Sequence, residues 1–192
     1  MKGAAGAQAA SDAAPRGGAA REARPASLDA LVSQVRERLG AEWLPEVYRE
    51  RIMTMRTRSH PVPVAAGAAP VEVLHTLLGI ELKVGRRRVS CPDLATARYL
   101  SVFARLGVGS VAVPYDITKI SRAADELESA WQRTLLLADH LTEGRAAPFR
   151  SRVRAAVRRE VKREVEEAGA GAAIPQFNQN TRQRPRRAPS SE

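Results

Sequence analysis

The sequence predicts an α+β fold: a small three-stranded sheet, made of a hairpin over residues 80–91 plus a strand over 110–114, packed with helices. Three observations carry this reading. Apolar residues recur at spacings of three and four over several long segments, the mark of amphipathic helices. Two short runs alternate in polarity on either side of Gly85, as hairpin strands do. A compact apolar run, SVAVP at residues 110–114, has the length of a buried strand and stands between two helical segments.

Residues 1–26 are rich in Ala and Gly and have almost no branched or aromatic side chains, so ordering them would not be repaid by burial. They are predicted to be a disordered N-terminal tail. Arg16, Arg21 and Arg24 lie in this stretch without a continuous apolar run, which argues against a secretory signal. Asp12, Glu22 and the scarcity of Ser argue against an organellar transit peptide.

A helical pair is predicted over residues 27–58. Ser27 is a good N-cap, Leu28, Leu31, Val32, Val35 and Leu39 share one face, and Gly40 ends the first helix. Pro45 suits the first turn of the second helix, which would turn Val47, Tyr48, Ile52 and Met55 inward. Residues 59–70 (SHPVPVAAGAAP) are Pro-punctuated and free of Asp, Glu, Lys and Arg, and read as an extended linker.

The α+β core is assigned to residues 71–168 and ends in a basic amphipathic helix. After the hairpin, Pro92 stops the second strand and Asp93 caps a helix over residues 94–106, with Leu94, Ala97, Leu100 and Phe103 on its inner face. Gly107 supplies a left-handed C-cap. In the long helix expected over residues 118–141, Ile120, Ala124, Leu127, Trp131, Leu135 and Ala138 form the buried stripe. Its acidic residues, Asp125, Glu126 and Glu128, lie in the first half, where they suit the helix dipole. The last helix begins near Pro148, and residues 169–192 are expected to be a disordered, Arg-rich tail.

A chain of 192 residues, 44% hydrophobic and 27% charged, accommodates one ordinary domain plus tails. Aromatics at 4% leave the core to Leu, Val, Ile and Ala. Cys91 is the only cysteine, so no internal disulfide forms, and His60, His75 and His140 have no zinc-type spacing with it. A reducing, cytoplasmic setting with no cofactor is the default expectation. Nothing approaches the ~18 consecutive apolar residues of a transmembrane helix.

Charge is the most informative property. The net charge is +10, and residues 145–187 hold twelve Arg or Lys against four Glu, a surplus of eight. Residues 70–141 hold nine basic and eight acidic residues, a surplus of one. The charge therefore belongs to the C-terminal quarter, where it would attract a polyanion over about one Debye length, ~10 Å.

Four features bear on chemistry. Gly107-Val108-Gly109-Ser110-Val111-Ala112 fits G-x-G-x-x-A, but a dinucleotide site needs a strand before it and a helix after it, and here the order is reversed. A helix stop followed by a turn explains these glycines better. Glu81-Leu82-Lys83, in a strand followed by a helix and another strand, is similar to the E-x-K strand of restriction-endonuclease-like nucleases. That resemblance implies a two-carboxylate magnesium site. The sequence departs from the pattern because no Asp lies between Asp29 and Asp93, leaving Glu72 as the nearby upstream carboxylate. The favoured reading places Glu81 and Lys83 on the outer face of a half-exposed strand, paired with arginines across the turn.

The third feature is Arg86-Arg87-Arg88 at the hairpin turn, able either to grip an anion or to deter strand pairing as a solvated edge. The fourth is the last helix. Phe149, Val153, Val157 with Ala156, Val161 and Val165 make a narrow apolar stripe, and Arg150, Arg152, Arg154, Arg158, Arg159, Lys162 and Arg163 cover the rest. Its cations lead and Glu164, Glu166 and Glu167 follow, which opposes the helix dipole at ~0.3–1 kcal/mol per exposed charge. The pairs Lys162–Glu166 and Arg163–Glu167 recover ~0.2–0.5 kcal/mol each. Arg182, Arg184, Arg186 and Arg187 extend the basic region into the tail.

These residues predict a non-enzymatic binding or adaptor protein that engages nucleic acid or an acidic protein surface. A membrane would need bulkier apolar anchors, and single strands would need stacking aromatics, of which the tail has only Phe177. Duplex or structured RNA needs only phosphate contacts. The alternatives are a divergent metal-dependent nuclease and a structural subunit of a larger assembly; homo-oligomerisation is left open.

Overall fold

A computed structural model describes residues 27–64 and 69–171. The fold is α+β, as predicted, with antiparallel sheets of three and two strands among helices. The helices are α1 (Leu28–Leu39), α2 (Leu44–Val47), α3 (Leu94–Leu106), α4 (Ile120–Leu141) and α5 (Ala147–Ala168). The strands are β1 (Thr57–Pro61), β2 (Val71–Thr76), β3 (Gly79–Val84), β4 (Arg87–Cys91) and β5 (Ser110–Pro114).

The three-stranded sheet runs β2-β3-β4, and β1 pairs with β5 in the other. The hairpin over 80–91 is therefore present, but its third strand is residues 71–76, and 110–114 belongs to the second sheet. Neither added strand announces itself. In VEVLHT the alternation fails at Leu74, and the two-residue turn to β3 is Leu77-Leu78 in place of the usual Asn-Gly. Thr76 compensates locally: its hydroxyl accepts from the Leu78 N–H at 3.2 Å and donates to the Gly79 carbonyl at 3.1 Å. Gly79, at φ 123°, takes the backbone conformation that closes the turn.

β1, TRSHP, lies inside the stretch read as helical pair and linker. It has almost no apolar residues, and only pairing with β5 makes it a strand. Beyond it the chain stays close to the second sheet, the Val62 N–H donating to the Gly109 carbonyl at 2.9 Å. The second helix is likewise shorter than its periodicity suggests, since α2 passes into a π-turn at Tyr48–Ile52. That widening keeps Tyr48 and Ile52 buried.

Two tyrosines stop the small sheet from growing. Ala112 in β5 is bonded on the side away from β1 by side chains: its N–H donates to the Tyr48 hydroxyl at 2.8 Å and its carbonyl accepts from the Tyr99 hydroxyl at 2.5 Å. Burial pushes the Tyr99 phenol well above its ordinary pKa, so it stays protonated and donates. Tyr48 completes its own bonding by donating to the Gly169 carbonyl at 2.9 Å, just past α5. A third strand has no free backbone group to meet at Ala112.

α3 is the central element. Ala97, Tyr99, Leu100, Val102 and Phe103 are all fully buried, with the three-stranded sheet on one side and α4 on another. Asp93 caps it by accepting from the Thr96 N–H at 2.6 Å. Gly107, φ 80°, ends it. α5 also touches α3, and α1 and α2 pack against α4 and α5. Val35, Trp43 and Tyr48 of the N-terminal segment share one hydrophobic cluster with Leu100 of α3 and Val157 of α5. None of the described helices is long and apolar enough to cross a membrane.

Candidate functional site

α5 buries Val153, Ala156, Val157, Val161 and Val165, the predicted stripe. Phe149 is half-buried, with the Arg145 and Arg152 guanidiniums 5.9 and 5.7 Å from its ring centroid. At 100° per residue the cations separate onto two flanks of this stripe. Arg150, Arg154, Arg158 and Lys162 form a row at four-residue spacing on one flank. Arg152, Arg159 and Arg163 lie on the other, and Arg159 and Arg163 border a shallow cleft with Asp29, Val32 and Ser33 of α1.

The structure divides the predicted cations by what they already touch. Arg154 grips Asp139 of α4 with two bonds, Nε to Oδ1 at 2.6 Å and Nη2 to Oδ2 at 2.5 Å. That guanidinium holds the Asp139 carboxyl below the usual carboxylate range. Arg163 binds both Glu160 and Glu167, and its hydrogen bonds hold Glu160 low in the same way. Lys162 stands 3.7 Å from Glu166, and Arg88 stands 3.6 Å from Glu81. Arg86, Arg87, Arg150, Arg152, Arg158 and Arg159 make no ion pair among the described residues, and all are exposed.

The end of β3, just before the hairpin turn, and α5, far apart in sequence, line one cleft. The Gly85 N–H donates to the Pro70 carbonyl at 3.0 Å, tying the turn to the approach to β2. Pro70, Val71 and Val84 line a cleft of about 480 Å³ together with Arg158 and Lys162 of α5. Strand register places Arg87 directly opposite Val84. Arg105, in the last turn of α3, lines the same cleft. Sequence reasoning overlooked Arg105 because, on a helix read for its apolar face, one cation near the C-terminus suits the dipole and calls for no other explanation.

Glu164 was also read differently. It is not an exposed acid opposing the dipole: it is 2% exposed and faces the N-terminal segment. The Trp43 indole N–H donates to Oε2 at 3.3 Å, Arg49 reaches the same oxygen at 3.3 Å, and Arg36 lies 3.2 Å from Oε1. No spacing rule links residue 164 to residues 36, 43 and 49.

Glu72 and Lys83 face each other across β2 and β3 with Nζ 2.9 Å from Oε2. With Glu81 near Arg88, both carboxylates of the E-x-K region stand beside cations on the outer face of the sheet. No three of His, Cys, Asp and Glu gather in a metal-holding arrangement among the described residues. The G-x-G-x-x-A run is the stop of α3 followed by β5. Arg182, Arg184, Arg186 and Arg187 lie outside the described residues, as do residues 1–26 of the N-terminal tail.

Comparison with protein-family models, with curated proteins and with solved structures finds no match for this chain.

Proposed function

We propose that this protein is a non-enzymatic binding module, or adaptor, that engages the phosphate backbone of structured nucleic acid. The observation that carries the reading is the cleft shared by the end of β3, the end of α3 and α5, whose described lining residues include three cations and no carboxylate. Beyond it, on both flanks of α5 and at the hairpin turn, Arg86, Arg87, Arg150, Arg152 and Arg159, like Arg158 of its lining, are exposed and make no ion pair among the described residues. Phosphate contacts need only this, with no stacking aromatics.

An acidic protein surface is the less favoured partner. Stable protein interfaces bury large apolar or aromatic anchors at their centre. Among the described residues the exposed large hydrophobics, Leu77, Leu78, Leu94, Tyr115, Ile117 and Leu136, are all off α5.

Deleting α5 is not a usable test, because it removes buried Val153, Val157 and Val161 from the core. Point substitution is. Fluorescence anisotropy with duplex DNA and with hairpin RNA, repeated across salt concentrations, is expected to give a steep linear loss of log affinity against log salt. The triple variant Arg150→Ser, Arg152→Ser, Arg159→Ser is expected to lower that slope by about 2–3 on duplex DNA. Binding to neither nucleic acid at low salt, or an unchanged slope, rejects the proposal. Salt-insensitive capture by an acidic protein rejects it in favour of an interface role.

A further inference from the structure

We infer that the cleft between α3, α5 and the ends of β2 and β3 is a site for a small organic phosphate, a phosphate monoester on a flat or apolar body. Its size, about 480 Å³, is that of small-molecule sites, which run ~300–1,000 Å³. Its walls have two characters. Val84 and Leu106 are almost fully buried and, with Val71, give an apolar floor. Arg158 and Lys162, one turn apart on α5, line it together with Arg105 of α3. All these residues belong to regular elements or their ends, so the backbone that carries the positive groups is set before a ligand arrives.

The charge selects the ligand class. Arg158 has no ion pair, whereas Lys162 stands 3.7 Å from Glu166 and Arg105 stands 3.6 Å from Glu128. Glu128 also binds Arg98 at 3.0 Å, and so leaves Arg105 only partly neutralised. One whole cation and two partly compensated ones match a phosphate monoester, which carries about 1.5–2 negative charges near neutral pH. A carboxylate has too little charge to engage all three. An inorganic phosphate has the charge but leaves the apolar floor uncovered. The site shares its cleft and Arg158 with the polyanion reading, but Arg150 and Arg152, which serve only that reading, are not among its lining residues.

Isothermal titration calorimetry on the full chain tests this with AMP, a soluble short-chain phosphatidate, adenosine and inorganic phosphate. At least one of the two organic phosphates is expected to bind saturably at one per chain, and which one binds identifies the body the floor accepts. Inorganic phosphate and adenosine are each expected to bind at least ~10-fold more weakly. Arg158→Ala and Lys162→Ala should each weaken the organic phosphate ~10-fold or more. Arg158→Lys, which keeps the charge, should retain part of the affinity. Arg150→Ser with Arg152→Ser should leave it unchanged even where nucleic-acid binding is lost. The site is refuted by no saturable binding of either organic phosphate, by inorganic phosphate binding as tightly as the ester, or by affinity indifferent to Arg158 and Lys162.

Discussion

α5 handles charge in two opposite ways along its length. Near its C-terminus Glu164 is nearly excluded from water and bound by Trp43, Arg49 and Arg36, joining the helix to the first segment of the chain. Earlier along it, from the first turn to just past the middle, Arg150, Arg152, Arg158 and Arg159 are exposed and unpaired within the described fold. A buried ion that loses its partners costs several kcal/mol, whereas an exposed one is solvated whether paired or not. The C-terminal part of the helix therefore serves folding, and the N-terminal part is free to serve binding. Arg154 and Arg163 stand between these extremes, exposed by about half yet committed to Asp139, Glu160 and Glu167.

The largest effect that would sharpen this contrast is expected from Glu164→Ala. It takes one carboxylate from Arg36 and Arg49, leaving them only Glu46, and leaves the Trp43 N–H unbonded. Because those arginines are 48% and 34% exposed, water relieves part of the loss, and urea unfolding should show about 2–3 kcal/mol of destabilisation. A change below about 0.5 kcal/mol, the range of ordinary surface substitutions, would break the comparison.

Tyr48→Phe should come next. It removes one hydroxyl that serves both the Ala112 N–H and the Gly169 carbonyl, for about 1–2 kcal/mol by the same measurement. Amide exchange at Ala112 should quicken, which separates this loss from a general loosening of packing.

A smaller effect, readable through pH, is expected for Asp139→Asn. The Asp139 pKa is lowered in the folded state, so its pairing stabilises the protein above the ordinary carboxylate range and is lost as pH falls through the lowered value. Wild type should lose stability from about pH 4 downward more steeply than the variant. With Arg154 54% exposed, the difference near neutral pH should stay at about 0.5 kcal/mol or less.

The smallest stability effect belongs to Arg150→Ser with Arg152→Ser, expected within about 0.5 kcal/mol of wild type by urea unfolding. The same variant should lower the salt slope of duplex binding by about 2. Loss of stability without loss of binding would reverse the roles assigned to the two ends of the helix.

Helices with regular apolar spacing were legible at sequence level to within a residue or two, because capping and periodicity are local. Ser27, Asp93 and Gly107 mark their ends in the structure as the sequence implied. The apolar stripe of α5 was equally plain. Strands β1 and β2 were not, since TRSHP and VEVLHT acquire their state from partners, one of them more than fifty residues away along the chain. The basic character of the candidate site was legible too. That Arg154 and Arg163 are occupied, that Arg105 belongs with Arg158, and that the end of β3 shares a cleft with α5 were not.

The sequence by itself determined the α+β class, most helices, the hairpin over 80–91 and the concentration of positive charge in the last quarter, all of which follow from near-neighbour spacing or composition. Tertiary structure alone decided which strand completes the larger sheet, which carboxylate is buried and which arginines remain available to an anion. Those outcomes depend on distances of a few ångströms between residues such as Trp43 and Glu164, separated by 121 positions, and local pattern carries no information at that range.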